Sequence, residues 1–189
     1  MIELFHDYTA PASAVAVARL HRLMREGLTA RIHGTEVLGL DTTMPVTLDV
    51  LTELDRVRAE ADAEQVDLHR PRMAPPTGLA HVVEDVAGAR GLATVWRDRC
   101  YRAYWSQGAD IGDAATLRRL AADAGLPADA VRAALEDRVA LLAVRRRAAG
   151  HRRDGIGGVP TIRYGRTLIP GLLPADDLRA LAALSPPTG

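Results

Sequence analysis

The sequence predicts an α/β protein: one central sheet flanked by helices and interrupted by a long all-helical block. Three observations predict this. The chain opens as strand, helix, strand; it runs almost wholly helical from Thr47 to Ala149; and it closes as a hairpin followed by a helix. With 189 residues it has the length of one domain with a sizeable insertion.

The elements follow in order. Ile2–Phe5 is a short apolar run that reads as a strand. From Pro11 to about Glu26 the pattern turns helical, with Val15, Val17, Leu20 and Leu23 among arginines and Gly27 placed to end the helix. Thr29–Leu40 reads as a second strand, weakened by Gly34. Thr47–Val66 carries Leu48, Leu51, Leu54 and Val57 at three-residue steps, which predicts one amphipathic helix whose acids form an exposed face. Asp67–Gly78 is a proline-punctuated loop, and Thr77 is placed to cap a helix over Leu79–Ala89. Further helices are predicted over Leu92–Gln107, with Trp96, Cys100, Ala103 and Tyr104 on one stripe, and over Ala114–Ala124 behind Asp113 as cap. Two more follow, from Pro127 to Glu136 and from Arg138 to Ala149. Thr161–Tyr164 and Thr167–Ile169 form a hairpin through Gly165-Arg166, and a last helix begins at Pro174 with Asp176 and Asp177 in its first turn.

Composition narrows the class of function. The formal net charge is zero and 48% of residues are apolar, so no global field draws the chain to nucleic acid or to an anionic membrane surface. No apolar run approaches a membrane span and no signal-peptide pattern opens the chain, which predicts a cytoplasmic protein without membrane or nucleic-acid partners. All basic charge other than histidine is arginine. The arginines at 145–147 and 152–153 read as a solvated helix end, or as a site for an anionic substrate or thiol near Pro160, and no stacking aromatics accompany them. The single cysteine, Cys100, leaves no internal disulfide, and its place on an apolar stripe favours a buried small hydrophobe over a reactive thiol. The six histidines are scattered and no Cys/His cluster has zinc spacing, so no metal is expected.

The stretch most suggestive of chemistry is Asp7-Tyr8-Thr9-Ala10-Pro11-Ala12-Ser13, where the first strand turns into the first helix. Open α/β sheets bind ligands at the carboxyl ends of their strands, and a helix N-terminus offers backbone N–H groups to an anion. His6 and Asp7 are therefore candidates for a general acid–base pair, with a solvated histidine and a turn aspartate as the plain alternative. Tyr8 offers a hydroxyl to a ligand or covers the turn. Ser13 orients a ligand or bonds its own backbone. His81 either faces a cleft or gives polarity to a helix surface.

Three stretches carry a family resemblance that covers nearly the whole chain. Phe5–Ser13 resembles the D-x-x-C-P-x-C segment of the DsbA superfamily, with both cysteine positions changed, to Ala10 and Ser13. Gly155–Thr161, GIGGVPT, resembles the proline loop that faces the active site in that fold. YRAYWSQGADIGD, followed by LRRLAADAGL, resembles the helical signature of the cytoplasmic FrnE-like branch, close to the 2-hydroxychromene-2-carboxylate isomerases; MAPPTGLAH (Met73–His81) is similar to the segment before it. The resemblance implies a thioredoxin fold made of residues 1–46 and 150–189, with 47–149 as an inserted helical subdomain. It implies a cis Val159-Pro160 bond standing across from Ala10–Ser13, and it makes a homodimer the expected assembly.

The family's disulfide chemistry needs a thiolate at the first cysteine position, held by the helix N-terminus. Ala10 supplies no nucleophile, and the Ser13 hydroxyl ionises too weakly to exchange with a disulfide. In the isomerase relatives a serine at the first position holds the thiolate of glutathione; here the serine stands three residues later. The expectation is a small-molecule isomerase or transferase, thiol-assisted, with Ser13, His6 and Tyr8 as catalytic candidates. Asp7, Thr9, Ala10, Pro11, Val159 and Pro160 would line its substrate cleft, and a low-molecular-weight thiol would be its cofactor. The competing expectations are a non-catalytic binder of a peptide or metabolite, and a residual redox protein acting through Cys100.

Overall fold

A computed structural model describes residues 1–184. β1 (Ile2–His6), β2 (Ala30–Gly34), β5 (Thr161–Tyr164) and β6 (Thr167–Pro170) form a mixed sheet in the order β2-β1-β5-β6. β1 runs parallel to β2 and antiparallel to β5. The parallel pair is joined by α1 (Pro11–Arg25), a crossover of the kind that parallel strands require. β5 and β6 close as the predicted hairpin. Between β2 and β5 lie α2 (Leu48–Arg56), α3 (Arg58–Ala63), α4 (Gly78–Gly88), α5 (Ala93–Trp105), α6 (Ala114–Asp123), α7 (Ala128–Glu136) and α8 (Arg138–Arg153), and α9 (Ala175–Ala183) ends the described chain.

α1 forms because Pro11 fixes its first turn and an unbroken run of helix-compatible residues follows; Gly27, with φ of +103°, lets the chain turn away. It is buried on almost every side, and Val15, Val17, Leu20 and Leu23 join Ile2 and Leu4 of β1 in the core. Each such side chain contributes about 1.5–3 kcal/mol through removal from water. The other face of β1 is partly polar: Phe5 stacks on His33 at 5.1 Å, meets His151 of α8 at 4.8 Å, and lies under the Arg163 guanidinium.

Several sequence expectations need correction. The second strand ends at Gly34, because Thr35 N–H turns back to the His6 carbonyl (2.8 Å) and the chain then leaves the sheet. The single helix expected over Thr47–Val66 is two, α2 and α3, separated at Val57. Its acids do not all face solvent: Glu64 accepts from both Arg19 and Arg22, whose guanidinium groups draw it inward. The proline loop contains β4 (Met73–Ala74), paired with β3 (Met44–Pro45) in a two-residue ladder too short to show a period. Thr77 makes no side-chain cap, whereas Asp113 caps α6 by accepting from Thr116 N–H. α8 runs on to Arg153.

Candidate functional site

The end of β1 delivers His6, Asp7 and Tyr8 into the interior, where none of them meets bulk water. The turn closes with Ala10 N–H on the Asp7 carbonyl (3.3 Å), and α1 begins with Ala10 as a cap that offers no side-chain acceptor. Phe5 pairs with Thr161, so the Val159–Pro160 segment just before β5 lies along the end of β1 and beside this turn. The Val159–Pro160 peptide is cis. Thr9, Ala10 and Val159 are partly exposed; Pro11, Ser13 and Pro160 are buried, and among the described residues the Ser13 hydroxyl has no hydrogen-bond partner.

His6 and Asp7 do not pair with each other. Both belong to a buried polar network completed by α4 and α5. Glu84 of α4 accepts four hydrogen bonds: from Arg97 Nε (2.6 Å) and His6 Nε2 (3.2 Å) on one oxygen, and from the Tyr8 hydroxyl (2.8 Å) and His81 Nδ1 (3.1 Å) on the other. His81 turns its Nε2 to Asp7 (3.1 Å), which also accepts from the N–H groups of Tyr8 and Val37. Because His81 meets a carboxylate at each nitrogen, it must donate from both and is an imidazolium. Burial works against that charge, but hydrogen bonds to Asp7 and Glu84 outweigh it and raise its pKa to about 9.

The remaining protons follow. Burial pushes the His6 pKa down, which favours a neutral ring; Nε2 faces Glu84, and Nδ1 shares the Tyr101 hydroxyl (2.9 Å) with the Asp7 carbonyl (3.1 Å). Burial alone would raise the Glu84 carboxyl, yet facing His6 and Arg97, with hydrogen bonds from His6 and His81, it is held well below the usual carboxylate range. Two acids, Asp7 and Glu84, thus face two cations, His81 and Arg97, and the buried charge balances. Trp105 Nε1–H donates to the Tyr8 carbonyl (3.0 Å) and fixes the turn from below. His6, His81 and Glu84 bring metal-ligand atoms within 4.8 Å of one another, but a cation there would have to displace Arg97 and strip His81 of a proton.

Sequence reasoning singled out the turn and His81, which is buried rather than at a cleft or helix surface, and missed Glu84, Arg97 and Tyr101. His81 and Glu84 stand three apart on α4 and so share a face, while Arg97 and Tyr101 stand four apart on α5, yet nothing local marks those faces as the floor of this turn. Glu53 of α2 was also missed. It is partly buried, and its carboxyl is raised by burial and lowered in part by Arg56 and by the Ala12 amide of the first turn of α1. Of the arginines ahead of the proline loop, Arg145 binds Asp41 and Glu36, and Arg147 binds Asp85. Cys100 is buried, and burial followed by the nearby Glu84 and Asp7 charges pushes its thiol pKa far up.

Residues 1–183 match the sequence profile of the DSBA-like thioredoxin domain. No curated protein sequence matches the chain. Among solved structures, the chain is similar to a probable DsbA oxidoreductase from Streptomyces coelicolor, at 25% identity and a TM-score of 0.81, over 95% of this chain and 87% of that one. It is also similar to a 2-hydroxychromene-2-carboxylate isomerase (20%, TM-score 0.76, 95% and 91%). The cytosolic disulfide reductase DsbM from Pseudomonas aeruginosa, solved with glutathione, matches at 23% identity and a TM-score of 0.67, over 95% of each chain. With the strand order, the turn and nearly every residue accounted for, the chain belongs to the DSBA-like thioredoxin-domain family, with neither cysteine of the family's redox pair.

Proposed function

We propose that the protein performs small-molecule isomerisation or group transfer, assisted by a low-molecular-weight thiol, in the cleft between Ala10–Ser13 and Val159–Pro160. The carrying observation is the state of sulfur in the chain: position 10 is alanine, position 13 is serine, and the one thiol is buried with a raised pKa. Any thiolate at the N-terminus of α1 therefore has to come from a ligand. Two neighbours support this reading, an isomerase and a reductase solved with glutathione. The partly exposed Thr9, Ala10 and Val159 would meet the ligand, and the positive end of the α1 dipole would favour its anion. Glu53 would move the proton, since its carboxyl lies beside that turn and burial raises its pKa. Ser13, His6 and Tyr8 would act from beneath the cleft, by positioning the turn. In this reading the protein works in the cytoplasm.

A second reading is favoured by one observation: His6, Tyr8 and Ser13 are all closed to solvent, which suits a cleft that binds without reacting. Incubation with a metabolite extract, with and without glutathione, followed by mass analysis of each bound or altered compound, separates the two. A glutathione-dependent product that is lost in Glu53→Gln supports the enzyme; a bound compound of unchanged mass supports the binder.

A further inference from the structure

A cleft of about 660 Å³ lies along α1 and α5, with residues 63–67 at its side, and it involves none of Thr9–Ser13, Val159 or Pro160. It exists because Ala14 and Ala18 leave the α1 surface low where α5 passes. Its wall holds a histidine–aspartate pair, His21 Nδ1 to Asp98 Oδ1 at 2.8 Å. His21 is buried, and among the described residues its Nε2 has no hydrogen-bond partner. An unmatched buried nitrogen costs about 1–3 kcal/mol, a cost that a bound group would relieve.

The charges along the cleft are not equally engaged. Arg22 is bound by Glu64 and Glu26. Arg25 and Arg102 line the same cleft, and among the described residues neither forms an ion pair. Their placement follows from the helices. Trp105 at the end of α5 reaches Tyr8 just before α1, while Asp98 reaches His21 farther along α1, so the two helices run antiparallel. Arg25 lies four residues beyond His21, and Arg102 four residues beyond Asp98, in opposite directions. At 1.5 Å per residue the two arginines bracket the His21–Asp98 pair, with backbones roughly 12 Å apart along the cleft.

We propose that this cleft is a second ligand site, one that takes an elongated small-molecule dianion such as a linear dicarboxylate. One end pairs with Arg25 and the other with Arg102, and His21 Nε2–H donates to the nearer anionic oxygen. The site does not depend on the reading of the Ala10–Val159 cleft.

The test uses the full chain with adipate as the dianion and hexanoate as its monoanionic match, followed by calorimetry and by the ring-nitrogen resonances of His21. Adipate is expected to bind saturably and at least about tenfold more tightly than hexanoate, and to shift the His21 Nε2 signal. Arg25→Gln and Arg102→Gln, both at exposed positions, should each remove that preference while leaving the fold intact. Equal affinity for the two acids, or a preference that survives both substitutions, would overturn the proposal. So would a His21 signal that adipate leaves unmoved, the mark of a nitrogen served by water alone.

Discussion

Glu84 carries four hydrogen bonds on two oxygens in a site without bulk water, which makes it the side chain least open to replacement. Glu84→Gln keeps the shape but turns one acceptor into a donor facing donors, and it leaves His81 and Arg97 with one carboxylate between them. Breaking a buried charge set in this way costs about 3–5 kcal/mol, so urea denaturation should show Glu84→Gln less stable by that amount. The histidines set the pH dependence. The folded pKa of His81, about 9, lies above its ordinary 6.5, so its stabilisation is complete below pH 6.5 and is lost as pH rises through 9. His6 works in the opposite sense. Its folded value is lowered, so the unfolded chain takes a proton first, and stability falls as pH drops below 6.5. Unfolding free energy measured across pH should therefore peak near 6.5, and His81→Gln should remove the decline on the alkaline side.

At the scale of elements, β2 and α4 touch through a missing side chain. A Cβ on Gly34 would stand 2.3 Å from His81 Nδ1 and 2.9 Å from Glu84 Oε2, both held by the network. Gly34→Ala should cost at least about 2 kcal/mol, since neither neighbour can yield without breaking a hydrogen bond. Gly88, near the end of the same α4, meets nothing within 4 Å, and Gly88→Ala should stabilise by about 0.5–1 kcal/mol. Melting curves of the two variants should move in opposite directions. Gly34 also shows where local reading fails. In the sequence it only weakens a strand, because its purpose is set by a histidine 47 positions away. The break between α2 and α3 and the β3–β4 ladder were illegible for a related reason: an amphipathic period runs through Val57, and two residues of strand have no period at all.

For the whole molecule, the order of elements was legible because helical periods, proline and glycine punctuation and the hairpin are local signals, and the resemblance of Phe5–Ser13, Gly155–Thr161 and the helical signature led to the DSBA-like thioredoxin domain. The turn at Asp7–Ser13 was legible, and the buried charges around it were not. Its charges come from α4 and α5, far along the chain, and they turn His6, Asp7 and Tyr8 from apparent reagents into buried supports. Sulfur and the cis Val159-Pro160 bond are ingredients on which sequence and structure speak together. Cys100 should resist thiol reagents in the folded protein and react only on unfolding; rapid labelling of the native chain would restore it as a redox candidate. The most direct measurement is a titration of the isotope-labelled chain with glutathione and with S-methylglutathione, followed at the backbone amides of Thr9–Ser13 and Val159–Thr161. Saturable shifts in both segments that require the free thiol are the predicted result. Amides that stay in place, or that respond equally when the sulfur is blocked, would contradict a cleft built to hold a ligand's thiolate.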